Sequence, residues 1–424
     1  MGLRAGSDGP GSAGARRPSA QAGVCRQLRT RPLDIVLDLV VDGVIFQYQA
    51  RGGVSRIYSE ILPRMCEQDP SLRIALLLKE RRAPRQALPV HPAISYVSVP
   101  HVDPYLRPAR VWGNNAAKVR RLVDRLWIGN GAGKIWHSTY FTQMSGWRGA
   151  QVVTVVDMIY ERYRSLFNEP YDQHFREQKR RAVSSAAAVI CISETTRRDV
   201  QDYYGVPADK TFVVPLAHSD SFYPLETVDE ASRPQKPFLL YVGKRTQYKN
   251  FDLLLEAFGS WRSRTDVDLV VVTDSEWSTD EQRSLAKFGL DSRVKLLIDI
   301  DDEQLRRLYG QAVAFVYPSL YEGFGIPLLE AMACGCTVVA SDIPSSREVA
   351  ADCPLYFDPT SAEDLRTALD KALQEIGNQE RRTAAMERAA TFSWNNTALQ
   401  TLEIYRSVKT GIDMRRPQRK VASK

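Results

Sequence analysis

Cysteine is scarce, histidine is scarcer, and long apolar runs are missing altogether. Six cysteines and five histidines in 424 residues leave no disulfide framework to read. The cysteines mostly lie inside apolar runs, where they read as small buried hydrophobes of a chain that lives in a reducing compartment. Only Cys334-Gly335-Cys336 forms a close pair. No second Cys/His pair at ligand spacing accompanies it, so no zinc site is expected. No stretch approaches the roughly 20 apolar residues that a membrane span requires. The first 32 residues also lack the apolar core of a secretory signal, and the expectation is a cytoplasmic protein.

Negative charge is lacking at the two ends. Up to Leu33 six arginines face Asp8 alone, and from Lys409 onward six Lys and Arg face Asp413 alone. These ends account for more than the whole net charge of +7 and leave the segment between them mildly acidic. A nucleic-acid enzyme with a basic face is thereby excluded. The ends themselves, 1–32 and 409–424, read as disordered basic tails, suited at most to weak contact with the anionic inner face of a membrane.

Between the tails, 44% hydrophobic and 25% charged residues are ordinary globular usage. Short β-rich apolar runs alternate with amphipathic helical stretches, the pattern of α/β layers around parallel sheets. One series of strands is expected at 34–39, 73–78, 151–156 and 188–192. A second is expected at 238–242, 268–273, 294–298, 313–317 and 337–340. Leu216 to Pro237 holds three prolines, mixed charge and no period, and reads as an interdomain linker. The resulting division is 33–215, linker 216–237, 238–395, and a final helix over 396–408. After the first strand, Gly52-Gly53 opens a helix with apolar residues at Val54, Ile57, Tyr58, Ile61, Leu62 and Met65, in which Pro63 is expected to place a kink.

The most informative stretch is 317–341, YPSLYEGFGIPLLEAMACGCTVVAS. A strand ends, glycines allow close backbone approach to a ligand, and Pro327 suits the start of a helix whose free amides form an anion site. With a diphosphate on those amides, Glu330 in the first turn would accept from ribose hydroxyls, and Glu322 would reach the transferred group. A second stretch, YVGKRTQYKNF at 241–251, is a strand followed by a cationic loop. Cations there would neutralise a leaving diphosphate.

These two stretches, together with GGVSR (52–56), HSTYF (137–141) and ISETTRRDV (192–200), resemble the retaining glycosyltransferases of family 4 from about Leu33 to Val408. The resemblance implies a GT-B fold: two facing Rossmann-like domains with parallel sheets, acceptor on the first, nucleotide sugar on the second, and a C-terminal helix crossing back. Carried over by position, Glu330 would bind ribose, and Glu322 the donor sugar. Backbone of Gly323, Phe324, Gly325 and Ile326 would hold sugar and phosphate, and Lys249 the diphosphate. Gly53 would approach the phosphate from the opposite domain. The second cation falls on Lys244 or Arg245, beside Gly243. Arg56, His137 and Asp157 are expected on the acceptor side.

The chain departs from the family pattern twice. Val156-Asp157 stands where His-Asp is usual, and Asp274-Ser275-Glu276-Trp277 replaces a glycine-rich turn. The implied activity is metal-independent, front-face hexosyl transfer with retained configuration. It would run from a nucleotide-diphosphate sugar, GDP-mannose being the guess, to a saccharide, glycolipid or metabolite hydroxyl in polysaccharide biosynthesis. No cofactor beyond this co-substrate is expected. The alternative is a catalytically silent GT-B subunit that binds or scaffolds.

Overall fold

Strand runs rich in Val, Ile and Leu that are apolar on both faces can only be satisfied inside a sheet covered on both sides, which is how parallel sheets occur. The computed structural model describes residues 39–49, 52–79, 83–84, 86–99, 129–144, 146–226 and 234–410. The basic tail 1–32 and residues 411–424 lie outside the described residues, while Lys409 and Thr410 belong to the last helix.

The first sheet has seven strands: β1 (Leu39–Asp42), β2 (Ile74–Lys79), β3 (Ile94–Val99), β4 (Ile135–Ser138), β5 (Ala150–Val155), β6 (Ala188–Cys191) and β7 (Thr211–Val213). Their order is β3-β2-β1-β4-β5-β6-β7, with every pairing parallel. The second sheet has six: β8 (Phe238–Val242), β9 (Asp268–Thr273), β10 (Val294–Ile298), β11 (Ala314–Tyr317), β12 (Val338–Ser341) and β13 (Leu355–Phe357). Its order is β10-β9-β8-β11-β12-β13, again parallel throughout. This is the doubly wound α/β arrangement twice over, a GT-B architecture. Each sheet reverses its winding once, between β1 and β4 and between β8 and β11. Ligands of such sheets bind outside the carboxyl ends of the strands at that reversal.

Several boundaries differ from the sequence reading. The first strand lies at Leu39–Asp42 rather than 34–39, whose first five positions fall outside the described residues. Four strands went unread: the six-residue β3 and the shorter β4, β7 and β13. The helix Gly53–Gln68 continues through Pro63. The last helix runs from Trp394 to Thr410, two residues longer at each end than expected. It returns to the first domain. Gln68 Nε2 donates to the Asn395 carbonyl at 2.9 Å, and Arg406 pairs with Asp69 at 2.8 Å. The buried Tyr405 hydroxyl bonds His137 Nδ1. Cys66, Cys191, Cys334 and Cys336 are free and buried, and Cys353 is free and half-buried.

Candidate active site

At the second reversal point, β8 ends in Gly243 and the cationic loop, and β11 ends in the segment leading to the helix Ile326–Ala333. Gly325 caps that helix with φ of 111°, a value that L side chains rarely adopt, and no side chain caps the amides behind it. Pro327 is the second helical residue rather than the first. The first amides of the helix are left without a side-chain cap, the condition an anion site requires. Lys249 Nζ lies 2.6 Å from Glu322 Oε1 and over the rings of Tyr248 and Tyr317. Burial pulls the Lys249 ammonium down in pKa, but Glu322 and Tyr248 outweigh it and hold it above its ordinary value. Glu330 is 5% exposed, and burial pushes its carboxyl up to about 7. Phe324 contributes backbone only, since its ring packs on Phe392. Ile326 is half-buried at the helix start.

Arg245, expected as a catalytic cation, is turned away from this centre. Its Nε and Nη2 pair with Glu281, Nη1 and Nη2 donate to the carbonyls of Ser275 and Glu276, and its guanidinium stacks on Trp277 at 4.7 Å. Only 4% of the side chain is exposed. The loop that replaces the glycine-rich turn is thus the receptor for Arg245. Lys244 remains on the surface beside it, 3.3 Å from Asp274.

From the first domain, Gly53 lies exposed at the N-terminus of Gly53–Gln68, with open space where a Cβ would stand. Arg56 does not line an acceptor face. Its Nη1 crosses the cleft to Glu330 Oε1 at 3.0 Å, and its Nη2 lies 2.8 and 3.0 Å from the two oxygens of Asp302. His137 is also not at the site. It is fully buried between Tyr405 and Thr154, and burial lowers its pKa to about 3, leaving a neutral core residue. Asp157 does face the centre: burial raises its carboxyl pKa, Lys179 opposes the shift, and Glu322 adds to it.

Sequence reasoning missed the contacts that close the cleft. The Gly323 carbonyl accepts from Ser193 Oγ (2.5 Å) and Thr196 Oγ1 (3.2 Å) of the opposite domain. Tyr321 Oη accepts from Met158 N and donates to Asp199. Glu348 accepts from the amides of Glu194 and Thr195, capping the helix Glu194–Tyr204 across the domain boundary. The available signal was ISETTRRDV itself, whose Ser193 and Thr196 have capping-box spacing. Also missed was an arc of rings. Tyr48 meets Tyr140, Tyr140 meets Phe175, Phe175 meets Tyr160, Tyr160 meets Phe167, and Phe167 reaches Tyr248 beside Lys249.

Comparison with known proteins agrees with this geometry. The model of the family described as Glycosyl transferases group 1 matches residues 225–391, and that of Glycosyltransferase Family 4 matches residues 51–218. An O-antigen chain mannosyltransferase B of Escherichia coli is 31% identical over 235 residues, 53% of this chain and 62% of that protein. A serotype-specific mannosyltransferase WbdA of the same species is 30% identical over 57% of this chain. The chain spans 62% of the length of the first of these relatives and 31% of the second. An alpha-maltose-1-phosphate synthase of Mycolicibacterium smegmatis is 30% identical over 351 residues, 73% of this chain and 87% of that protein. Among solved structures, a sucrose-phosphate synthase from Thermosynechococcus elongatus superposes with a TM-score of 0.68 at 19% identity, covering 88% of this chain and all of that one. Anabaena HepE, in complex with UDP and glucose, gives 0.61 at 16% identity over 88% of this chain and 100% of its own. With two parallel-sheet domains closed over a Lys249–Glu322–Glu330 centre and these matches across both halves, the chain belongs to glycosyltransferase family 4, the glycosyl transferases group 1, of GT-B fold.

Proposed function

We propose that this chain transfers a hexose, mannose in the first instance, from a nucleoside-diphosphate sugar to a saccharide hydroxyl with retention of configuration. The observation that carries the reading is the set Lys249, Glu322 and Glu330 around an uncapped helix N-terminus at the sheet's reversal point. Lys249 neutralises Glu322. A bound diphosphate competes for that ammonium, which frees the Glu322 carboxylate for the sugar's hydroxyls. The bond from the anomeric carbon to the diphosphate oxygen breaks, and its electron pair leaves with the diphosphate under Lys249. The acceptor oxygen bonds the same face of the anomeric carbon, and its proton passes to a phosphate oxygen. Domain closure through Gly323 and Tyr321 excludes competing water.

Two observations narrow the substrates. Several relatives are named mannosyltransferases, which supports mannose and hence GDP-mannose as donor. The arc of rings from Tyr48 to Tyr248 passes Asp157, whose charge bears on Tyr140, Tyr160 and Tyr248. Aromatic faces with neutral hydroxyls suit the C–H face of a sugar ring, so the acceptor is read as a saccharide. Transfer is read as metal-independent, because in each of the two Asp-x-Asp strings that could ligate a divalent ion, Asp266-Val267-Asp268 and Asp299-Ile300-Asp301, one carboxylate has another duty. Asp268 pairs with Arg293 and Lys295, and Asp301 caps the helix Asp302–Gln311. No helix among the described residues is long and apolar enough to cross a membrane. We read the protein as cytoplasmic, with at most weak contact between its basic ends and an anionic membrane face.

A proton NMR time course with GDP-, UDP-, ADP- and dTDP-sugars tests the assignment. Selective broadening for one donor with slow loss of its anomeric signal supports it. Absence of broadening with every donor would move the chain to the second reading, a silent binding subunit, which the substitution of Val156 for the usual histidine favours.

A further inference from the structure

Arg56 is the fourth residue of the helix Gly53–Gln68, yet its ion pairs are with Glu330 and Asp302 of the other domain, with Glu60 of its own helix adding a more distant negative charge. Glu330 receives it on Oε1, while Oε2 accepts from the Tyr309 hydroxyl at 3.3 Å. Tyr309 is fully buried behind the carboxylate. The Glu330 side chain is 6% exposed and that of Arg56 30%, so the guanidinium is the group between Glu330 and the cleft. A ribose diol that reaches Glu330 has to take the place the guanidinium occupies. Asp302, 40% exposed, holds Arg56 through both oxygens, independently of Glu330. The released cation therefore keeps a partner and pays no full desolvation penalty for an unpaired charge.

We propose that Arg56 is an exchangeable positioning residue for the nucleotide: it pairs with Glu330, yields it to the ribose hydroxyls, and stays anchored on Asp302. The inference rests on the assignment of Glu330 to the ribose. It makes Arg56 a determinant of donor affinity, one that lowers the gain an intact diol brings. Ligands lacking the diol leave the guanidinium on Glu330. The arrangement parallels the Lys249–Glu322 pair, with the difference that both of Arg56's partners lie across the cleft. Each donor that binds breaks an interdomain ion pair, and each product that leaves restores it.

Isothermal titration of the full chain with GDP, UDP and ADP, each beside its 2′,3′-dideoxy analogue, tests this. Titrated at alkaline pH, where Glu330 keeps its charge without the guanidinium, R56A is expected to tighten the ribonucleotide by about three- to tenfold, the range of a part-exposed ion pair, and to leave the dideoxy form within about twofold. D302N is expected to act in the opposite direction, because a guanidinium released from Glu330 then has no carboxylate to hold it. R56K, which keeps the charge but cannot bridge both carboxylates, moves as R56A does by a smaller factor and serves if the alanine variant fails to fold. Loss of affinity for both nucleotide forms in R56A, or no change in either, overturns the proposal. If the parent chain binds none of GDP, UDP and ADP, the ribose assignment falls and this inference with it, a result separable from binding by the parent that R56A leaves unaltered.

Discussion

Replacing Gly323 with alanine is expected to prop the two domains apart while leaving each intact. Gly323 lies outside the set of positive-φ glycines, so its own backbone tolerates a side chain. The obstacle is the opposite domain. An added Cβ would land on the carbonyl oxygen of Val156 and 2.9 Å from its carbonyl carbon, with the Asp157 Cα at 3.3 Å. These are backbone atoms, so neither a rotamer change nor a substitution at Val156 makes room. Separation breaks the bonds from Ser193 and Thr196 to the Gly323 carbonyl and from Met158 N to Tyr321. At about 1 kcal/mol for each net hydrogen bond, the closed form loses about 3 kcal/mol, roughly a hundredfold in population. Small-angle scattering should show a larger radius of gyration for G323A. The melting temperature should shift little, and kcat for transfer should fall by about a hundredfold if closure excludes water and aligns the two sites. A variant as compact and as active as the parent would refute the argument.

Further expectations follow from the same centre and its supports. Lys249→Ala should lower kcat/KM by about a hundred- to a thousandfold, as removal of a charge that stabilises a departing anion does; steady-state kinetics within threefold of the parent would remove Lys249 from the mechanism. Nucleotide affinity should rise from about pH 6 to about pH 8, because only the ionised Glu330, whose pKa burial places at about 7, accepts twice from a ribose diol. The sign for stability is the reverse. A carboxyl raised from 4.5 to about 7 gains its proton on folding, so the empty protein should lose stability as pH climbs through that window, and calorimetry across it provides the check. Lys179→Met should cost about 3–5 kcal/mol in chemical denaturation by leaving Glu161 charged and buried, with most of the loss recovered in K179M/E161L.

The two Rossmann-like units were legible because long strands such as Asp268–Thr273 are apolar on both faces and are spaced by helical periods. β7 and β13, three residues each, carry too little pattern to register. Of the site, the segment containing Glu322 and Glu330 and the loop containing Lys249 could be read locally, since strand end, glycine and helix start are local features. Arg245 could not. Its fate depends on Glu281 and Trp277, residues that sequence proximity does not bring together with it. His137 was misplaced for a related reason. A strand residue points to alternate faces, and only the returning helix with Tyr405 shows that this one points into the core. Arg56 was legible as a cation near the cleft, but its partners belong to the other domain.

The helix Trp394–Thr410 bears on the order in which the molecule is made. A ribosome delivers the first sheet early, but the hydroxyl that pairs with His137 arrives with Tyr405, after the entire second domain. The first domain therefore waits, with the face of Gly53–Gln68 uncovered, until the last turns of chain emerge and dock. A transcript cut short before codon 394 would yield a second domain able to complete its own sheet and a first domain with its imidazole exposed. Quality control would meet these as one finished and one unfinished half.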